Sequence, residues 1–114
     1  MNDPSLREEL DRLRARLDAA EECSYGLLQA LMHVLPPLLQ GHPKAAQVHQ
    51  ALQTADDRFE ALLLHPQQAQ APGETHHRHE PLMQLNRMLA ILGVWPGVDP
   101  SEAAKAAIAR RTGG

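Results

Sequence analysis

The sequence has few of the residue types that form β-strands. Phe, Trp and Tyr occur once each, and Val and Ile are scarce, whereas 18 Leu and 17 Ala supply most of the hydrophobic content of the 114 residues. Aromatic and β-branched side chains favour strands, while Leu and Ala are strong helix formers. The composition therefore predicts an all-α fold.

The sequence also has a single cysteine, a small net charge and no long hydrophobic run. The one cysteine, Cys23, excludes an internal disulfide framework and is typical of a reducing compartment, so we expect a cytoplasmic protein. A net charge of -3 gives no general attraction to nucleic acid or to an anionic membrane. No apolar run approaches the roughly 20 residues that span a bilayer, and no secretory signal is visible at the start. Nine Arg against two Lys, with abundant Ala and Leu, is a composition typical of a GC-rich bacterial gene.

The sequence also lacks the common catalytic motifs. It has no phosphate-binding loop, no dinucleotide-binding glycine pattern, no H-E-x-x-H and no G-x-S-x-G. Cys23 follows Glu21 and Glu22, and neighbouring carboxylates suppress the thiolate that a nucleophile needs. We therefore expect a protein that is not an enzyme and that has no cofactor.

The first helix carries the pattern of a coiled coil. Asp3-Pro4 and the pair Ser5 and Glu8 are alternative helix starts. A stretch from Tyr25 to Leu39 has no charge, and Pro36-Pro37 within it is expected to end or kink the helix. Apolar or small residues recur in alternating steps of four and three, as in a coiled-coil seam, at Leu6, Leu10, Leu13, Leu17, Ala20, Ser24, Leu27, Leu31 and Val34.

A second helix is predicted from about Pro43 to Leu64. His65-Pro66 ends it, and its apolar positions again step by three and four. Two consecutive helices with a short connection pack as an antiparallel hairpin, so residues 1–66 are predicted to form a long, coiled-coil-like helical hairpin. The apolar positions of the second helix are Ala45, Val48, Leu52, Ala55, Phe59 and Leu62.

The C-terminal half is predicted to be shorter and partly flexible. Residues 67–80 are polar and contain Pro72-Gly73, which indicates a flexible linker that holds several histidines. Residues 81–114 are predicted to form a short apolar helix, a turn and a marginal C-terminal helix, packed on the hairpin as one domain. The whole chain is thus predicted to be an all-α helical bundle.

The predicted function is recognition of another helix. A helical hairpin with an additional apolar face commonly completes its core by two-fold association, so we expect a homodimer built around a four-helix bundle. The protein would then be a non-enzymatic interaction module, such as an adaptor, small chaperone or assembly factor, that also binds a second, unidentified protein. The predicted interaction surface consists of Leu28, Leu31, Met32, Leu35, Leu82, Leu85, Met88 and Leu89.

Two other function classes stay open. A small nucleic-acid-binding regulator would use the basic residues of the last helix, Lys105, Arg110 and Arg111, although the overall charge argues against nucleic acid. A metal-responsive protein would use His76, His77 and His79, although their spacing is not that of a preformed site. The sequence does not reveal the partner, or whether the third helix docks on its own hairpin or on that of a neighbour.

Overall fold

Helices make up most of the protein. The computed structural model describes residues 4–112, and no strand occurs between these two positions. The all-α fold class is thereby confirmed. The four α-helices are α1 (Pro4–Leu39), α2 (Ala45–Leu64), α3 (Glu80–Ile91) and α4 (Pro100–Thr112), and short 3-10 helices occur at Pro66–Gln68 and His76–Arg78.

The chain divides into two compact units, between Ala30 and Leu31. The described part of the first unit, residues 4–30, is a single helical segment in which no side chain is buried. The second unit contains the last turns of α1 and the other three helices. All buried side chains of the described residues belong to this second unit.

Helix α1 starts where the sequence predicts but does not end there. It begins at Pro4, while the candidate N-cap Asp3 lies outside the described residues. It runs through Pro36 and Pro37 to Leu39, because proline has a φ that suits a helix and the pair removes only two backbone donors near the end. Of the two predicted alternatives, an end of the helix at the prolines is therefore wrong, and a kink there stays a prediction.

The apolar face of α2 is buried where the sequence predicts. Ala45, Leu52, Phe59 and Leu62 are buried, and Val48 and Ala55 are half-buried. This face packs chiefly against α3. The pairing of α1 with α2 as an antiparallel hairpin stays a prediction, and the observed partner of the α2 face is α3.

Helix α3 buries only part of the apolar face that we expect from its sequence, which consists of Leu82, Leu85, Met88, Leu89 and Leu92. Leu85 and Leu89 are buried together with Met83 and the polar Asn86. Three residues of the predicted apolar face, Leu82, Met88 and Leu92, are exposed. The helix packs on α2 and α4. Because α3 has apolar residues on most of its circumference, its composition alone does not select one face.

A glycine cap at the end of α3 directs the chain back to the core. Gly93 has a φ of 77°, which glycine adopts without strain. Its N–H donates to Ala90 O at 3.1 Å, and Val94 N–H donates to Leu89 O at 3.1 Å. These are the two hydrogen bonds of a Schellman motif. Val94 and Trp95, which follow, are both buried.

Trp95 anchors the turn between α3 and α4. Its side chain is only 2 % exposed, its Nε1–H donates to Asn86 O at 3.0 Å, and its ring stacks on His49 at a centroid distance of 4.9 Å. Trp95 is thus part of the core of the second unit. Because it is the one tryptophan of the chain, its fluorescence reports on the second unit.

Helix α4 packs weakly, in line with its composition. Ser101 N–H donates to Asp99 Oδ1 at 2.9 Å, so Asp99 caps the helix as predicted. Its one large apolar side chain, Ile108, is 61 % exposed. Contact with α3 is therefore made mainly through half-buried alanines such as Ala103 and Ala107.

Candidate functional site

The most extensive exposed apolar surface of the first unit lies along α1. We call it the heptad face. Its leucines are between 50 % (Leu10) and 63 % (Leu27) exposed. Single exposed leucines are common in proteins, but a continuous row of them marks an interaction surface. The heptad face comprises Leu6, Leu10, Leu13, Leu17, Ala20, Ser24 and Leu27.

Charged residues flank the heptad face on both sides. Arg7, Arg14 and Glu21 follow one row of apolar residues, and Glu9 and Arg16 precede the other. None of these five side chains forms a salt bridge within residues 4–112. Their charges are therefore available to a partner of complementary charge.

Two of the eight residues of the predicted interaction surface are buried rather than exposed. Leu85 and Leu89 are buried in the core of the second unit. Both side chains pack within the chain, where they help to hold α3 on α2. Of the remaining six residues, Leu31, Leu82 and Met88 are exposed, and Leu28, Met32 and Leu35 are half-buried.

A buried ion pair joins α2 to α3, and the sequence analysis missed it. Asp56 is only 5 % exposed. Arg87 donates to both of its carboxylate oxygens, from Nη2 at 2.7 Å and from Nε at 3.0 Å. Arg87 Nη2 also donates to Glu60 at 2.6 Å. Hydrogen bonding to Asp56 raises the pKa of Arg87. Such a bidentate pair is stronger than an exposed one because less water competes for its charges.

Asn86 extends this network with its side-chain amide. Its Nδ2 donates to Asp56 Oδ2 at 3.1 Å and to Gln53 Oε1 at 3.0 Å. Its Oδ1 is buried and has no hydrogen-bond partner among the described residues. Sequence reasoning could have found Asp56, since it lies four residues after Leu52 and three before Phe59, on the buried face of α2.

An open cleft of about 280 Å³ lies beside the network, among α2, α3 and α4. Asp57 and Glu60 contribute negative charge to its lining, and Arg87 and Arg110 contribute positive charge. No Ser, Thr or Cys is among the described residues that line it. With Asp56, the lining carries three carboxylates and two guanidinium groups, and Arg87 forms ion pairs with Asp56 and Glu60.

The predicted linker contains a second polar cluster, centred on Glu74. Its carboxylate accepts hydrogen bonds from Arg58 Nη2 at 2.8 Å and from Gln70 N–H at 3.0 Å, and it lies 2.8 Å from His79 Nε2. The hydrogen bond from Arg58 is the main reason why the pKa of Glu74 lies far below its ordinary value. Residues 67–80, which we predicted to be a flexible linker that holds several histidines, are thus tied to α2 by Arg58.

Two of the three histidines of the candidate metal site, His76 and His77, have ring centroids 4.0 Å apart, and each of the three also has a different neighbour. His79 contacts Glu74, and His77 Nδ1 lies 3.1 Å from Glu80 Oε2. His76 packs edge-on against Phe59, with ring centroids 5.6 Å apart. No group of three or more potential metal ligands is arranged around a common point in the described part of the chain.

Two of the three basic residues of α4 that we considered for nucleic-acid binding have acidic neighbours. Lys105 Nζ lies 3.4 Å from Glu102 Oε1, and Arg110 lines the cleft that also contains Asp57 and Glu60. The acidic neighbours reduce the local positive potential that binding to nucleic acid requires.

Within residues 4–112, none of the helices combines the length and the apolar character needed to cross a membrane. Comparison with protein-family models, curated proteins and solved structures finds no match for this chain.

Proposed function

We propose that the protein is a non-enzymatic protein–protein interaction module, such as an adaptor, small chaperone or assembly factor, that acts through helix–helix packing and works as a homodimer. The exposed heptad face of α1 carries this proposal. Five leucines at coiled-coil spacing are each half-exposed or more over residues 6–27. Leaving such a row in water is costly, at about 25 cal/mol per Å² of apolar surface, so a partner helix is expected to cover it.

The interaction surface therefore differs from the one that we predicted from the sequence. Its centre is the heptad face, and the exposed Leu82 and Met88 of α3 are available for further contacts. Methionine is flexible and polarizable, so Met88 suits a surface that adapts to a second protein.

We also propose that the protein works in the cytoplasm. Its one cysteine, Cys23, is exposed on α1. An exposed thiol persists in a reducing compartment but is prone to oxidation and cross-linking outside it.

The experiment is to measure the solution mass by light scattering behind size exclusion, over a range of concentrations. We expect twice the 12.6 kDa mass of one chain for the wild-type protein and a single-chain mass for Leu13→Asp. The matched control Ala15→Asp introduces the same charge on the same helix but outside the heptad face, and it should remain a dimer. Unchanged Trp95 fluorescence shows that the second unit is still folded. A wild-type protein that stays at the single-chain mass at every concentration contradicts the homodimer.

A further inference from the structure

The pattern of the heptad face defines the positions at which two helices would meet. Following the usual heptad nomenclature, Leu10, Leu17 and Ser24 occupy a positions, and Leu6, Leu13, Ala20 and Leu27 occupy d positions. The flanking e positions are Arg7, Arg14 and Glu21, and the g positions are Glu9, Arg16 and Cys23.

We propose that two copies of this chain pair through the heptad face of α1 as a parallel, in-register, two-stranded coiled coil. The inference rests on the proposed function, to which it adds the orientation and the register of the two copies. It follows from the charges beside the heptad face, which determine which residues of two helices face each other in each orientation.

In a parallel, in-register dimer, each g residue faces the e residue five positions further along the second helix. Glu9 then faces Arg14 of the second copy, and Arg16 faces Glu21 of the second copy. Two-fold symmetry repeats both contacts, so four pairs of opposite charge flank the interface. Cys23 faces the apolar Leu28, so no pair of like charges arises.

An antiparallel dimer forms fewer pairs of opposite charge, since e positions then face e positions and g positions face g positions. The best register places Leu17 opposite Ala20, and its only attractive pair is Arg14 with Glu21, made twice. Moving the helices by one heptad in one direction places Arg14 opposite Arg14, and in the other direction it places Glu21 opposite Glu21. The charges thus favour the parallel arrangement.

Ser24 supports the same orientation. It is the one polar residue at an a position of the heptad face. In the parallel, in-register dimer it meets Ser24 of the second copy, and two hydroxyl groups can donate and accept hydrogen bonds with each other. In the best antiparallel register it faces Leu13, which leaves the hydroxyl without a partner. Polar residues at a positions commonly select register and a two-stranded state in this way.

Cysteine cross-linking tests the orientation in the full-length chain. In a Cys23→Ser background, Ala20→Cys should form a disulfide dimer on mild oxidation, since position 20 meets its own copy in the parallel arrangement. Ala15→Cys, which lies outside the heptad face, should remain monomeric on a non-reducing gel. Selective cross-linking between Leu17→Cys and Ala20→Cys, without self-linkage of Ala20→Cys, overturns the parallel arrangement.

Charge exchange between copies tests the same arrangement without cysteines. Glu9→Arg alone should weaken dimerisation about tenfold, because two attractive pairs become repulsive. Mixing it with Arg14→Glu should restore the wild-type affinity, since one pair then keeps its original charges and the other is re-formed with reversed sign. The control Glu8→Arg makes the same charge change outside the interface and should have no effect. Glu9 faces Ala30 in the best antiparallel register, so an unaffected Glu9→Arg dimer contradicts the proposal.

The two proposals fail in different ways. A dimer that cross-links only as an antiparallel pair contradicts the orientation and leaves the interaction module intact. A wild-type chain that is monomeric at every concentration contradicts the homodimer itself.

Discussion

At the scale of single residues, the polar groups that matter most are buried ones. Asp56 and Asn86 lie in the interface between α2 and α3, where bulk water has little access to them. Asp56 on α2 accepts hydrogen bonds from Asn86 and Arg87 on α3. Such groups contribute specificity as well as stability, because any other alignment of the two helices leaves a buried charge without its partner.

Replacement of Arg87 should be strongly destabilising. Arg87→Ala leaves the buried carboxylate of Asp56 without its guanidinium, so we expect the free energy of unfolding to fall by about 3 kcal/mol. The measurement is urea denaturation followed by Trp95 fluorescence. Glu60→Ala is the matched control, since Glu60 contacts the same guanidinium but its side chain is 51 % exposed, and its loss should cost no more than about 1 kcal/mol. Equal effects of the two variants would show that the Asp56 pair is no stronger than a surface pair.

The lowered pKa of Glu74 predicts that the protein loses stability in acid. Its pKa is lowered from the ordinary value of 4.5, chiefly by the hydrogen bond from Arg58. A carboxyl group whose folded-state pKa is depressed contributes stability that is fully present above pH 4.5 and that is lost as the pH falls towards the folded-state pKa.

The test is to measure the free energy of unfolding at several pH values on both sides of pH 4.5. Glu74→Gln should be less stable than the wild type at neutral pH and should lose less stability on acidification. The exposed Glu8→Gln on α1 should leave the wild-type profile unchanged. An identical acid profile for the wild type and Glu74→Gln would show that Glu74 is not the responsible group.

At the scale of secondary structure elements, local signals predicted the helices better than their packing. The starts of α1 and α4 follow from proline in the first turn, and the end of α3 follows from Gly93. These signals act through neighbouring backbone groups, so they are readable in the sequence. The partner of each apolar face is not local, because several faces of similar composition compete for it.

Gly93 is a position at which an alanine should be poorly tolerated. Its positive φ of 77° costs another residue about 1–2 kcal/mol, and a Cβ at this position would lie 3.2 Å from Pro100 Cγ. We expect Gly93→Ala to lower the free energy of unfolding by at least that amount, as measured by urea denaturation followed by Trp95 fluorescence. An unchanged midpoint would argue against the glycine cap.

Gly26 lies in the interior of helix α1, and in contrast to Gly93 it should tolerate an alanine. An added Cβ at this position would have no neighbour within 4 Å in the described chain. Gly26→Ala should therefore increase the helix content and stability of α1, by up to about 1 kcal/mol. The measurement is circular dichroism during thermal unfolding. A loss of helix or of dimer would indicate that a second chain approaches closely at this position.

At the scale of the whole molecule, the core and the proposed dimer interface belong to different parts of the chain. All buried side chains of the described residues follow Leu31, whereas the heptad face precedes it. The second unit has its own apolar core, with Trp95, Leu62 and Leu89 as its largest fully buried side chains. Folding of the second unit and self-association of α1 are therefore expected to be separable.

A chain that begins at Leu31 should test this separation. We expect it to unfold cooperatively with the buried-tryptophan fluorescence of the full-length protein, because its core is complete. We also expect a single-chain mass by light scattering, since the heptad face is absent. A truncated chain that remains dimeric would place the interface in the second unit, on residues such as Leu82 and Met88.

The sequence by itself determined the helices of this protein and the residues at their apolar faces. The all-α fold, the caps and the buried face of α2 follow from interactions within a few turns, for which residue type and spacing suffice. Only the tertiary structure decided that α2 packs on α3, that Asp56 is buried against Arg87, and that Glu74 ties residues 67–80 to α2. These contacts join residues that are 16 to 31 positions apart. They depend on which of several similar apolar faces meet, and helical periodicity does not encode that choice.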